Sequence, residues 1–315
     1  MVQRASFWIS AETAATPPRW SAADCPQWIT DGRYHSLRQA ARAGVDFSSV
    51  LALITGATRP QSIAAGIAIN LLRGGARVVV AGRRRSDEMA AIAGALVAQA
   101  GAGSACGASC DQADPASISA LFAWADDAGL RFTHLVPFAA SNDPRPLIRQ
   151  RPEDFLRVFS LNSFGVFQLC LRHARSRPSG PWQVVLPLSA NHGQLRGSGL
   201  YPASKATLRA LLVQAQHEIG RRHQGAYLGV ALPWTSSSMM AGLSDLEQAA
   251  VAAGIRVCRP AESAALCTLL ALPQAHELAG TVLDADGGFA SADAAAFDAL
   301  LQRRPRPDRP SDTKS

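Results

Sequence analysis

From residue 51 onward the chain alternates between short apolar runs and longer amphipathic stretches. The run 51–54 leads into Thr55-Gly56, and an Ala/Ile/Leu-rich stretch then reads as a helix as far as Gly74-Gly75. A second apolar run, 77–81, precedes a helix over 87–100. A weaker strand comes before Asp111, and a helix is predicted over 115–127. The alternation continues with a strand over 134–138, a long helix over 152–174, a strand over 182–188 and a helix over 199–222. A strand over 226–232 follows, then one or two helices and a last strand over 279–284. Strands that are short, continuously apolar and separated by helices predict a parallel sheet buried on both faces. About seven such strands imply an α/β, Rossmann-type doubly wound fold, with ligands bound outside the carboxyl ends of the strands.

The pattern divides the chain. Residues 1–48 form an N-terminal extension, interrupted by Pro17, Pro18 and Pro26, with one short helix expected at 37–43. A single dinucleotide-binding domain is expected over 49–300. An Ala-rich helical stretch after Phe289 gives way to a Pro/Arg-rich stretch, 301–315, expected to be a disordered basic tail. The net charge is +7, and the tail holds three of those units. The remainder is only mildly basic, and no Lys/Arg cluster is interleaved with aromatics, so nucleic-acid binding is not expected. The six cysteines are scattered without the spacing of a zinc set, and no metal is expected. No apolar run approaches the length of a membrane span, and the N-terminus lacks a signal-peptide core, so a soluble cytoplasmic protein is expected.

The first strand runs into Thr55-Gly-Ala-Thr58-Arg-Pro-Gln-Ser62-Ile63-Ala64. A strand, a glycine turn and a helix N-terminus make a phosphate cradle from free backbone N–H groups and the helix dipole. Gly56 supplies the turn, while Ser62 and Ala64 stand where glycines often do. The second strand ends in Gly82-Arg83-Arg84-Arg85, with no acid before Asp87. An NAD site usually places Asp or Glu there for the ribose hydroxyls, whereas arginines suit a 2′-phosphate. Arg83 and Arg84 therefore point to NADPH over NADH, and Arg85 reads as a surface residue. Asp111, after the third strand, is placed to meet the adenine.

The chain has two lysines, Lys314 near its end and Lys205 inside it. Codon bias thins lysine from a chain but does not choose where one stays. Lys205 follows Tyr201 by four residues, on the same face of a helix. A tyrosine titrates near pH 10 and needs help to move protons at neutral pH. The neighbouring ammonium is expected to favour the phenolate and to reach a nicotinamide ribose. Ser189, at the end of the preceding strand, is placed to hold a substrate carbonyl. Asn162, inside the long helix, is placed to organise a proton relay.

In order, Thr55-Gly56, Asn162, Ser189, Tyr201-x-x-x-Lys205 and Asp286-Gly-Gly288 resemble the short-chain dehydrogenase/reductase family over residues 51–289. The resemblance implies hydride transfer from a nicotinamide, with Tyr201 as acid, Lys205 assisting, Ser189 positioning and Asn162 holding the relay. Thr55, Gly56, Thr58, Ser62, Ile63, Arg83, Arg84, Asp111, Ala139, Lys205 and Thr235 would then hold the cofactor. Families of this kind also imply a homodimer or homotetramer.

Leu186-Pro-Leu-Ser189-Ala-Asn-His-Gly193, Gly197-Ser-Gly-Leu-Tyr201, Pro137-Phe-Ala-Ala140, and Trp234-Thr235 followed by Met239-Met240 are similar to the β-ketoacyl reductase domain of type I fatty acid synthases. That likeness implies a 3-oxoacyl thioester on an acyl carrier protein, with Trp234 and Met239 near the substrate. His192, adjacent to the serine loop, is placed either to contact substrate or a pantetheine arm or to be a loop residue bonded to backbone. Because the domain stands alone here, a free-standing reductase serving a synthase is expected rather than a synthase fragment. The cofactor loop is two residues longer than the usual one and resembles that of enoyl-acyl carrier protein reductases, as does Asp286-Gly-Gly-Phe289-Ala. Those enzymes carry their tyrosine three residues earlier, where this chain has Ser198, which favours carbonyl over alkene reduction. Pro233-Trp234 replaces the usual Pro-Gly. Two alternatives stay open: a reductase or dehydrogenase of a free small ketone or alcohol in specialised metabolism, and a non-catalytic nucleotide-sensing or scaffold protein.

Overall fold

The computed structural model describes residues 8–11, 18–143, 145–176, 180–195 and 198–302. Strand β1 (Ile9–Ser10) and helix α1 (Gly32–Ala40) precede the regular part. Its first half comprises β2 (Leu51–Thr55), α2 (Ile63–Arg73), β3 (Arg77–Gly82), α3 (Ser86–Ala100), β4 (Ser104–Ser109), α4 (Pro115–Asp127) and β5 (His134–Pro137). The second half comprises α5 (Pro152–Phe159), α6 (Gly165–Arg175), β6 (Trp182–Ser189), α7 (Tyr201–Glu218) and β7 (Gly225–Leu232). Then come β8 (Trp234–Thr235), α8 (Ser244–Ala252), β9 (Val257–Cys258), α9 (Pro260–Leu269), β10 (Val282–Asp284) and α10 (Ala294–Gln302).

The main sheet has eight strands in the order β1-β4-β3-β2-β5-β6-β7-β10. The seven expected strands are parallel; the eighth is β1, added antiparallel on β4 from within the N-terminal extension. Successive residues of each strand feed opposite faces. Ala52, Ile54, Val78 and Val80 belong to one core, with side chains from α2, α3 and α9; Leu53, Val79 and Ala81 belong to the other, with α4, α6 and α7. Both faces are covered, which is why the runs read as continuously apolar. Trp20, Ile29, Tyr34, Leu37 and Phe47 join the first core, so the extension is packed into the domain.

Several boundaries shift for local reasons. Helix α1 starts earlier than expected, because the Asp31 carboxylate caps it by accepting from Arg33 N–H at 2.8 Å. The long helix of 152–174 is divided by a π turn at Ser160–Phe164. Helix α7 begins at Tyr201, since Gly199 before it has φ +56°. The last strand starts at Val282, after Gly280 at φ +83°. Strand β4 is weak in sequence because Gly107 sits in it. A Cβ there would collide with the backbone of Met89 and Ala90, so glycine lets α3 lie directly on the sheet. Helix α10 runs to Gln302, into the expected tail; the rest of that tail, from 303, lies outside the described residues. Among the described residues no helix is long and apolar enough to cross a membrane, and no cluster of His, Cys, Asp or Glu could hold a metal. All six cysteines are buried free thiols.

Candidate active site

The strand order reverses direction between β2 and β5, and the carboxyl ends of these neighbours part at a switch point. A cleft of about 740 Å³ opens there, within the roughly 300–1,000 Å³ usual for small-molecule sites. One polar side chain that sequence reasoning missed holds the switch point together. Gln112 is almost fully buried. Its Oε1 accepts from Thr55 Oγ1 at 2.5 Å, and its Nε2 donates to the carbonyls of Ala139 (2.9 Å) and Leu161 (2.8 Å). Ala139 N–H in turn donates to Thr55 Oγ1 at 3.1 Å. The ends of β2, β4 and β5 and the π turn are thus tied by one residue. Truncation would strand several buried polar groups at once. Gln112→Ala is expected to lower unfolding stability by about 2–4 kcal/mol, read from urea denaturation at unchanged m-value. A loss within error would show that the network is dispensable.

Gly56 follows at φ +83°, and a Cβ on it would lie 2.7 Å from Ala139 N. Only glycine allows the two strand tips to approach this closely. Ser62 is the N-cap of α2: its Oγ accepts from Ala65 N–H at 3.1 Å, and its carbonyl takes Gly66 N–H. The first-turn N–H groups of Ile63 and Ala64 have no acceptor within the helix. They line the cleft with Thr55, Gly56, Thr58 and Ser62. The place where a glycine was missing is therefore a serine cap. Arg59, also in the lining, donates to the Ser238 carbonyl at 3.2 Å, and Ser238 N–H donates to the Gln61 carbonyl at 3.2 Å. These bonds join the cofactor loop to the loop after β8.

Arg83 and Arg84 both line the cleft beyond the tip of β3. Arg84 pairs with Glu88 at 2.9 Å and Arg85 with Asp87 at 3.2 Å, whereas Arg83 has no acidic partner among the described residues. Asp111 lines the cleft as well, its carboxylate accepting from Ala113 N–H. The donor set fits a nicotinamide dinucleotide: free N–H groups at a helix N-terminus, a strand tip open to the ligand, and at the next strand a guanidinium without an acidic partner among the described residues.

Ser189, Tyr201 and Lys205 all line this cleft. Lys205 is buried, with Nζ 5.4 Å from the centre of the Tyr201 ring, a cation–π separation. The expected lowering of the phenol is not what the fold produces. Burial pushes Tyr201 up to about 12 and pushes Lys205 down to about 7. Desolvation disfavours both charged forms. Ser189 Oγ accepts from Asn191 N–H at 3.1 Å. Ser198, at the position of the enoyl reductase tyrosine, donates to the Leu195 carbonyl and accepts from Asn191 Nδ2.

Asn162 is fully buried in the π turn and does not itself line the cleft. Its Oδ1 accepts from Ser141 N–H, and its Nδ2 donates to the Ser141 carbonyl and to Ser204 Oγ, all at 2.9–3.0 Å. The amide therefore locks the loop after β5 to helix α7, one residue before Lys205. His192 is exposed and is not in the lining; its neighbour Asn191 is. Trp234, Thr235 and Met239 do line the cleft, and Thr235 is fixed by a 2.7 Å bond to Ser263 Oγ. Phe289 and Phe297, which sequence reasoning did not single out, complete the apolar end.

Residues 56–290 match a family model described as enoyl-(acyl carrier protein) reductase. A fatty acid synthase alpha subunit of Emericella nidulans is 32% identical over 95% of this chain, which spans 20% of that protein. The alpha subunit of Saccharomyces cerevisiae fatty acid synthase is 28% identical over 80% of this chain and 14% of its own length. The chain thus spans about a fifth or less of the curated relatives it matches. A short-chain type dehydrogenase/reductase from Mycobacterium marinum superposes with a TM-score of 0.69 at 23% identity, covering 78% of this chain and 97% of the other. A mutant short-chain dehydrogenase/reductase from Serratia marcescens gives 0.67 at 24% identity, covering 77% and 98%. At such identities these two structures establish a shared fold.

Proposed function

This chain belongs to the short-chain dehydrogenase/reductase family, and on that premise we propose that it uses NADPH to reduce the keto group of a 3-oxoacyl thioester carried on an acyl carrier protein. The observation that carries the proposal is that Ser189, Tyr201 and Lys205 line one cleft together with Arg83, which has no acidic partner among the described residues. NADPH, when bound, supplies a hydride to the carbonyl carbon. Ser189 Oγ–H holds the carbonyl oxygen. Tyr201, kept protonated at neutral pH by burial, gives its proton to that oxygen as the C–O double bond becomes single. Lys205 titrates near neutrality and can return a proton to the phenolate. The likeness to the synthase alpha subunits supports the thioester substrate. Ser198, a hydroxyl already bonded within its own loop, is too short to do the work of an enoyl reductase tyrosine.

NADPH oxidation in the presence of a short 3-oxoacyl thioester tests the reading. Absence of turnover, with the nucleotide still bound, would sink it. Arg83 carries the cofactor preference, since a charge-assisted bond to a 2′-phosphate contributes roughly tenfold or more in affinity. Arg83→Ala is expected to reduce the NADPH-over-NADH ratio of kcat/KM by about that factor. A wild type that prefers NADH would overturn this assignment.

Assembly into a homodimer or homotetramer belongs to the same proposal. Its support is the run of exposed large apolar side chains between residues 147 and 164, Leu147, Ile148, Phe155, Leu156 and Phe164. Light scattering that finds a monomer at micromolar concentration would remove it.

A further inference from the structure

The apolar end of the cleft has a construction of its own. Trp234, Met239, Met240, Leu246, Phe289 and Phe297, none of them charged, are among the residues lining the cleft, and Trp234, Leu246, Phe289 and Phe297 pack together in one apolar cluster. The Trp234 and Phe289 rings lie nearly parallel, 19° apart with centres at 6.4 Å. Phe297 meets Trp234 from the side, tilted by 60° at 6.5 Å. Trp234 Nε1 is buried without an acceptor among the described residues, so packing holds this indole in place. Phe289 and Phe297 are themselves almost fully buried in the third core cluster, which also contains Leu246, Ala249 and Ala250 of α8.

Both phenylalanines are held by built turns. The Asp286 carboxylate accepts from Gly288 N–H and Ala290 N–H at 2.9 and 2.8 Å, which fixes Phe289. Asp293 caps α10 through Ala295 N–H and Ala296 N–H at 2.9 and 3.0 Å, and its own N–H donates to the Ala253 carbonyl at 3.0 Å. The last described helix is therefore pinned to α8, with Phe297 as its inward residue. It forms a fixed wall of the cleft.

We infer that this end is a subsite for the alkyl tail of the substrate, and that Phe297 sets the longest tail it accepts. The inference rests on the reductase reading for the identity of the substrate's head. The occupant follows from continuity with the carbonyl site at Ser189 and Tyr201 and from the uncharged lining: whatever extends from the carbonyl into this space has to be apolar. Each methylene buried there raises kcat/KM about fourfold until the tail reaches the Phe297 ring, and a longer tail is then rejected by overpacking.

The test uses the full chain and a series of straight-chain 3-oxoacyl N-acetylcysteamine thioesters, lengthened two carbons at a time. Wild type is expected to show a maximum in kcat/KM followed by a fall. Phe297→Ala moves the maximum at least two carbons longer, and Phe297→Trp moves it shorter. Circular dichroism checks that each variant is folded, and the Trp variant keeps the test alive if the Ala variant is not. A maximum that stays in place in the folded variants overturns the inference. If wild type reduces none of these thioesters, the reductase reading fails separately. The subsite is then read by quenching of tryptophan fluorescence with straight-chain alcohols of increasing length. A length optimum that shifts in the Phe297 variants supports it, and the same optimum in all proteins overturns it.

Discussion

Tyr201→Phe is expected to lower turnover by about a thousandfold or more, with NADPH binding unchanged. The substitution removes one oxygen and leaves the ring that packs beneath Lys205. Positioned proton transfer contributes roughly 10² to 10⁴ in rate, and on the proposed reading Tyr201 is the proton donor in the cleft that Ser189 also lines. Because burial lifts this phenol to about 12, the residue is a protonated donor throughout the neutral range, in the form that reduction consumes. On the proposed reading the nucleotide would be held by other parts of the cleft lining: the first turn of α2, the tip of β2 and Arg83. Fluorescence titration with NADPH should therefore give the wild-type dissociation constant. A Phe variant that retains a tenth of the rate would assign the proton to another group.

The parts of the fold that were legible in sequence are those determined by nearest neighbours along the chain. Helix α4 begins and ends where expected because Asp114 caps it, accepting from Ala116 N–H, and Pro115 stands at its first position, where a missing N–H costs nothing. The strands were legible because both their faces are buried, so the two-residue period vanishes into apolar runs. The pairing of Tyr201 with Lys205 was legible because lysine is scarce, and α7 then sets the spacing. The π turn was not, since what imposes it is distant in sequence: Gln112 bonds the Leu161 carbonyl, and Asn162 bonds Ser141 and Ser204. Gln112 itself carries no signal, because a glutamine after Asp111 looks like any loop residue.

The aromatic end was hidden for a different reason. Phe289 and Phe297 lie in an Ala-rich stretch and look like ordinary core residues, and part of their contact surface is indeed core. The packing of α10 on α8 places Phe297 in the cleft lining, and the Asp286 turn places Phe289 there. His192, left open between a substrate contact and a loop residue, lies outside the cleft lining. Adjacency to the serine loop made it a candidate, but the loop turns at Gly193, with φ +88°, and leaves the imidazole in solvent. The phenol–ammonium pair shows where local logic stops. Charge proximity alone predicts a lowered tyrosine, whereas the depth of the wall decides the outcome for both groups.

Lys205 carries the other large expected effect, in which function and stability move apart. Burial takes its ammonium from 10.5 to about 7 in the folded protein. The unfolded chain holds that proton up to about pH 10, so between the two values it binds more protons than the folded chain. Stability then rises with pH across this window, and the full cost of keeping a buried ammonium, about 5 kcal/mol at most, is present below pH 7. Lys205→Met removes that cost. Without added nucleotide it should unfold at higher urea than wild type at pH 7, with the difference shrinking towards pH 10, while turnover falls about a hundredfold or more. Lys205→Arg keeps the charge at every pH and puts a larger group with no counterion into the same space. It should be both less stable and inactive, because a guanidinium cannot release the proton that Tyr201 needs back. Near-normal turnover in the Arg variant would mean that positive charge alone suffices and that the proton reaches Tyr201 by another route. A Met variant no more stable than wild type at pH 7 would mean that the ammonium is solvated in the free protein.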